Sequence, residues 1–195
     1  MDNDTGDETE STGDRKGNPF GAFSWEIYHQ AGVAETCLAL QAREGLDVNL
    51  LLFCVWAGRC GHTLSTAQIE SLEAQTTPWQ DAVVVPLRSV RTWLKHNVAG
   101  TDGAAASALR EAVKAAELDA ERLEQENLYR ALPLSEGTAD MEAMVSNVLS
   151  YFAVRGRTPG PEDTADLVRV LLAGLPHNVR ALDLVRRFED ECAGG

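Results

Sequence analysis

From Asn18 onward, apolar residues recur at intervals of three and four, the spacing that gathers them on one side of a helix. Phe20, Phe23 and Ile27, continued by Tyr28 and Ala31, predict a short first helix ending near Gly32. Val33 to Glu44 forms a second, with Val33, Cys37 and Leu40 beside Ala34 and Leu38 on its apolar face, and Gly45 closes it. The stretch from Asp47 to Trp56 then reads D-V-N-L-L-L-F-C-V-W, the longest nearly unbroken apolar run in the chain. A helix that is apolar all round is stable only where neighbours cover it all round, so this run predicts a central helix reaching about Gly58 or Cys60. Asp47 is placed to cap its first amides, and Leu46 to fold onto Leu51 as a hydrophobic staple. Asn49 is the polar exception. It either helps satisfy the first-turn amides or stands as a buried hydrogen-bonding post where helix layers meet.

Beyond the central run, Ser65 and Gln68 have the spacing of a capping box, with Ile69 and Leu72 on the apolar side. Thr77-Pro78 reads as a further helix start. Val83-Val84-Val85 has strand composition, but Trp79, Val83, Leu87, Val90, Leu94 and Val98 keep helical spacing across Pro86, which predicts one helix kinked at that proline. Ala104 to about Leu132 is rich in strong helix formers. Leu109, Val113, Ala116, Ala120 and Leu123 form a narrow seam there, with Glu111, Glu117, Glu121 and Glu124 to its sides. Three more stripes follow: Met141, Met144, Val145, Val148, Leu149 and Phe152; Leu167, Val168, Leu171 and Leu172; and Val179, Leu182, Val185 and Phe188. The expected fold class is therefore all-α, a compact multi-helix bundle around a central apolar helix. Residues 18–132 form the main domain and 133–195 a C-terminal helical subdomain packed on it.

Composition narrows the function. Apolar residues make up 44% of the chain and aromatics 6%, which suits an aliphatic core of helix on helix. The formal charge of −13 argues against nucleic acid as a partner, because that binding needs clustered cations to displace counterions. Residues 1–17 carry six acids against two bases and no apolar residue after Met1, the signature of a disordered acidic tail and not of a secretory signal. The central run is too short to span a membrane. Four cysteines, none in a C-x-x-C pair, fit free thiols in a reducing cytoplasm.

Candidate chemistry is sparse. Arg88, Arg91 and Lys95, with His96 adjacent, are expected on the side of their helix opposite the apolar stripe, as a basic ridge for a protein partner that is acidic at its contact surface. Cys60, flanked by Arg59 and His62, is the candidate reactive thiol. Glu26 and His29 have the E-x-x-H spacing of di-iron bundles, but no second motif accompanies them; Cys54, Cys60 and His62 are too few for a closed zinc site. No catalytic residue, metal or cofactor is expected. The first expectation is a non-enzymatic interaction or adaptor module. The alternatives are a bundle enclosing an apolar ligand between the central helix and Trp25, Trp56, Trp79 and Trp93, and an enzyme using Cys60 or Glu26 with His29.

Taken together, N-P-F at 18–20, F-S-W at 23–25, G-V-A-E-T-C-L-A-L-Q at 32–41, G-L-D-V-N-L-L-L-F at 45–53, Trp56 and P-L-R-S-V-R at 86–91 resemble a family of small proteobacterial proteins of unknown function. The likeness covers roughly residues 18–132. It implies a compact cytoplasmic bacterial protein and carries over no catalytic residue.

Overall fold

A computed structural model of the chain describes residues 18–96, 102–175 and 179–194. The expected acidic tail, Val98 and the side chain of Cys192 lie outside the described residues. Among those described, the elements are helices and no strand is present: α1 (Pro19–Tyr28), α2 (Val33–Glu44), α3 (Val48–Arg59), α4 (Thr66–Trp79), a π turn (Gln80–Val84), α5 (Val85–His96), α6 (Gly103–Ala131), α7 (Met141–Val154), α8 (Pro161–Gly174) and α9 (Ala181–Gly194). The fold is all-α.

Local chemistry sets the helix ends. Asn18 caps α1, its side chain accepting from the Gly21 amide, and Pro19 follows where a missing N–H costs nothing. Gly45 closes α2 in the left-handed region, at φ 68°, which a side chain would resist. Asp47 caps α3 by accepting from the Asn49 and Leu50 amides at 2.8 and 3.4 Å. Ser65 and Gln68 form the reciprocal capping box.

The central helix is covered on all flanks: α3 packs against α1, α2, α4, α6, α7 and α8, most extensively against α7. Every residue from Asn49 to Gly58 is buried. Leu50, Leu51, Leu52, Phe53 and Val55 each contribute about 2 kcal/mol by leaving water, a sum comparable to the net stability of a whole domain. Close approach to α7 depends on Gly58, where an added Cβ would lie 2.5 Å from the Met144 backbone nitrogen. Residues of α7, α8 and α9 belong to the same core cluster as α3.

Four stripes differ from expectation. Thr77-Pro78 starts no new helix; α4 runs through Pro78, and the irregularity is the π turn between Pro78 and Pro86, closed by the Val85 amide donating to the Gln80 carbonyl five residues back. A π turn accommodates one residue more than the α register, so the side of the rod that faces inward moves on by one position. Val84, Arg88 and Arg91 turn toward α6 where Val83, Leu87 and Val90 were expected to lead, and Val90 is 47% exposed. In α6 the seam is displaced as well: Leu109 and Leu123 are exposed, and the buried residues are Glu117, Ala120, Glu124 and Leu128. In α9, Leu184 replaces Leu182 as the buried partner of Phe188, and in α2 Leu38 faces water.

Candidate functional site

Two carboxylates on the inward face of α6 are almost completely buried, which a folded chain tolerates only where they are paired or protonated. Glu117 is paired. Arg88 donates through Nε to Glu117 Oε1 at 3.0 Å and through Nη2 to Glu121 Oε1 at 2.7 Å, while Arg91 donates through Nε to Glu117 Oε2 and through Nη2 to Oε1 at 3.2 Å. Burial works to raise the Glu117 pKa, but the hydrogen bonds and charges of Arg91 and Arg88 outweigh it and hold the group below its ordinary value. Glu121, with Arg88 alone, is left raised by burial.

Glu124, one turn farther along, makes no ion pair among the described residues. Its Oε2 accepts from Asn49 Nδ2 and from Gln80 Nε2, each at 2.6 Å, and Gln80 Nε2 also reaches Asp47 Oδ1 at 3.2 Å. Gln125 donates to Asn49 Oδ1 at 2.9 Å and to Ser24 Oγ at 3.0 Å. On the far side, the Asp47 amide donates to the Tyr151 hydroxyl at 2.9 Å. Asn49 is thus the buried post of the second sequence reading, and it joins α1, α3, the π turn and α6 in one polar layer. Burial, then the neighbouring Asp47, pushes Glu124 up to about 8; burial also raises Asp47 against the pull of its capping amides. Two surface grooves, one along α4 and α7 beside Glu73 and Arg155 and one between α2 and α8 beside Arg169, are lined by none of these residues. Among the described residues the arrangement ties α1, α3, the π turn and α6 together through buried hydrogen bonds.

The sequence-predicted sites fall in different places. Arg88 and Arg91 are spent on α6, whereas Lys95 and His96 stay exposed at the end of α5 without an ion pair among the described residues. Cys60 is buried and its thiol raised, chiefly by desolvation, the opposite of what makes a thiolate nucleophile. Glu26 and His29 are exposed, with His29 Nδ1 2.7 Å from the Trp25 carbonyl oxygen. His62 Nε2 lies 3.0 Å from the Ser135 carbonyl oxygen. No group of three or more His, Cys, Asp or Glu among the described residues could hold a metal. The tryptophans divide: Trp56 is core, its ring centroid 5.5, 5.3 and 5.8 Å from those of Phe20, Phe53 and Tyr129. These are direct-contact separations, so no ligand layer lies between those rings. Trp79 donates to the Ala120 carbonyl at 3.0 Å, and Trp25 and Trp93 are exposed.

Sequence reasoning missed the inward acids. Glu117, Glu121, Glu124 and Leu128 recur at helical spacing, and Arg88 and Arg91 stand one turn apart on the preceding helix; opposed stripes of that kind were the available signal. It also missed Asn147, fully buried on α7, whose side chain accepts from the Leu64 amide and donates to the Cys54 and His62 carbonyls.

No curated protein and no solved structure matches the chain. No helix among the described residues is long and apolar enough to cross a membrane. A family model described as a protein of unknown function, DUF2390, matches residues 20–128, more than half of the sequence and the whole of the polar layer apart from Tyr151; the chain belongs to the DUF2390 family.

Proposed function

We propose that the chain is a protein-interaction module that docks through the outer face of α5. The observation that carries this reading is that α5 contains no buried residue and yet presents Val85, Val90 and Trp93 to solvent, Trp93 at 59% exposure. Large apolar side chains clustered on one exposed helix face characterise a contact surface more than a solvated one. His96 continues the face at its C-terminal end, with Lys95 beside it in the last turn on the side of Arg88 and Arg91, so the partner is a protein with an apolar helical face and acids at one end. Within the basic ridge expected from sequence, these two carry the charge complementarity, while Arg88 and Arg91 shape the surface by fixing α5 on α6. Three free thiols, Cys37, Cys54 and Cys60, support residence in a reducing compartment such as the cytoplasm.

A photo-crosslinking residue at Ser89, in the middle of the face, tests the proposal in extracts of the source organism against the same probe at Arg122 on exposed α6. A single adduct is expected at Ser89 and not at Arg122, lost on Trp93→Ser and weakened by Lys95→Glu, most strongly at low salt. An adduct that survives Trp93→Ser, or one whose mass is that of a second copy of the chain, refutes it.

A further inference from the structure

We infer that Asp47 and Glu124 share one proton between Asp47 Oδ2 and Glu124 Oε1, and that this proton makes the seating of α6 on the central helix sensitive to pH. The geometry comes first. Both oxygens are buried and accept no hydrogen bond among the described residues, while the remaining oxygens, Asp47 Oδ1 and Glu124 Oε2, are taken up by the Asn49 and Leu50 amides and by the side chains of Asn49 and Gln80. The two carboxyls are neighbours in one buried layer: Gln80 Nε2 reaches both, 3.2 Å from Asp47 Oδ1 and 2.6 Å from Glu124 Oε2, and the Thr76 hydroxyl also lies beside Asp47. Two unpartnered carboxylate oxygens in one buried layer are both acceptors, and a proton carried by one and donated to the other satisfies both; the ionised pair would place two like charges together in a dry site.

The surroundings favour a proton over a cation. A hard metal ion takes six or more oxygens, but Asn49 and Gln80 turn their N–H groups toward Glu124, and among the described residues no third carboxylate joins the pair. Other charged or titratable groups facing the pair do not neutralise it. From α6, Glu121 adds negative charge; Arg88 on α5 is engaged by Glu117 and Glu121, and Arg91 by Glu117. From α7 come Tyr151, whose hydroxyl burial keeps protonated, and Arg155, which is bound to Glu73 of α4. Cys54 of α3 is a buried thiol raised by desolvation.

A carboxyl whose folded pKa lies above its unfolded one binds the proton more tightly when folded. Its stabilisation is complete below the unfolded value and is lost as pH rises through the folded value. For Glu124 that window runs from the ordinary 4.5 to about 8, so the urea midpoint of the full chain is expected to fall between pH 5.5 and about 8.5. Glu124→Gln replaces the shared proton with a permanent N–H donor to Asp47. It should match the wild type at low pH, remove most of the decline and leave the variant the more stable at high pH. Asp47→Asn, which keeps the capping oxygen, should flatten the profile likewise and serves if Glu124→Gln fails to fold. Carboxyl 13C titration of the wild type should show one glutamate with a midpoint near 8. No carboxyl titrating above pH 6.5, parallel profiles for both variants and the wild type, or restoration of the wild-type midpoint at high pH by millimolar calcium or magnesium would each overturn the inference.

Discussion

Replacing Asn147 with leucine isolates the cost of unsatisfied backbone groups, because the two side chains are close in size and no cavity opens. Asn147 accepts from the Leu64 amide at 2.7 Å and donates to the His62 and Cys54 carbonyls at 2.9 and 3.1 Å. The Cys54 carbonyl lies inside α3 and keeps its helical partner. The Leu64 amide and the His62 carbonyl lose theirs, in a connection pinned over the core by the buried Leu64. At about 1–3 kcal/mol for each orphaned buried group, Asn147→Leu should cost about 4 kcal/mol. With a urea dependence of about 2 kcal/mol per molar, the midpoint should fall by about 2 M at unchanged slope, measured by far-UV circular dichroism. A shift below about 0.5 M would mean that water or a rearranged loop satisfies both groups, and the anchoring role assigned to Asn147 would fail.

Gly58→Ala should lower the thermal midpoint by several degrees, because the new methyl meets the Met144 backbone and overpacking costs about 1–3 kcal/mol; an unchanged melt would show that α7 shifts freely. Cys60 should react with iodoacetamide near neutral pH far more slowly than in the urea-unfolded chain, since burial both shields and raises its thiol. Equal rates folded and unfolded would reinstate it as an accessible thiol. Leu51→Asp places an unpaired charge at a fully buried position and should abolish the folded signal in circular dichroism; a cooperative melt near the wild-type temperature would contradict the central position of α3.

Much of the architecture was legible because it rests on local chemistry and on one unmistakable run. The limits of α2, the Asp47 cap, the Ser65–Gln68 box and the burial of Leu50 through Val55 follow from residues adjacent in sequence. What escaped depends on distant partners. Helical periodicity assigns apolar residues to the inside, so it put Leu109 and Leu123 there and Glu124 outside; the structure reverses this because Asn49, Gln80 and the arginines of α5 make an acidic face cheaper to bury than the spacing implies. Asn49 was readable as a post, but which helix it would meet was not. Likewise, the ridge of Arg88 and Arg91 could be located as a pair of cations, while their orientation depended on a turn irregularity that no residue in 80–84 announces by type.

That irregularity amounts to one surplus residue in a rod that would otherwise be plain α-helix from Thr66 to His96. Each helical residue advances the chain by about 100° around the axis. Were these five positions to relax to plain α-helix at unchanged length, everything downstream would turn by about that angle, bringing Val90 toward Glu117 and carrying Arg91 out into water; excising one codon between Gln80 and Val84 instead removes the surplus residue and leaves Arg88 and Arg91 facing α6. A residue added there would cost the carboxylates of α6 their counterions without any of them being mutated, so these five positions should tolerate the loss of one residue better than the gain of one.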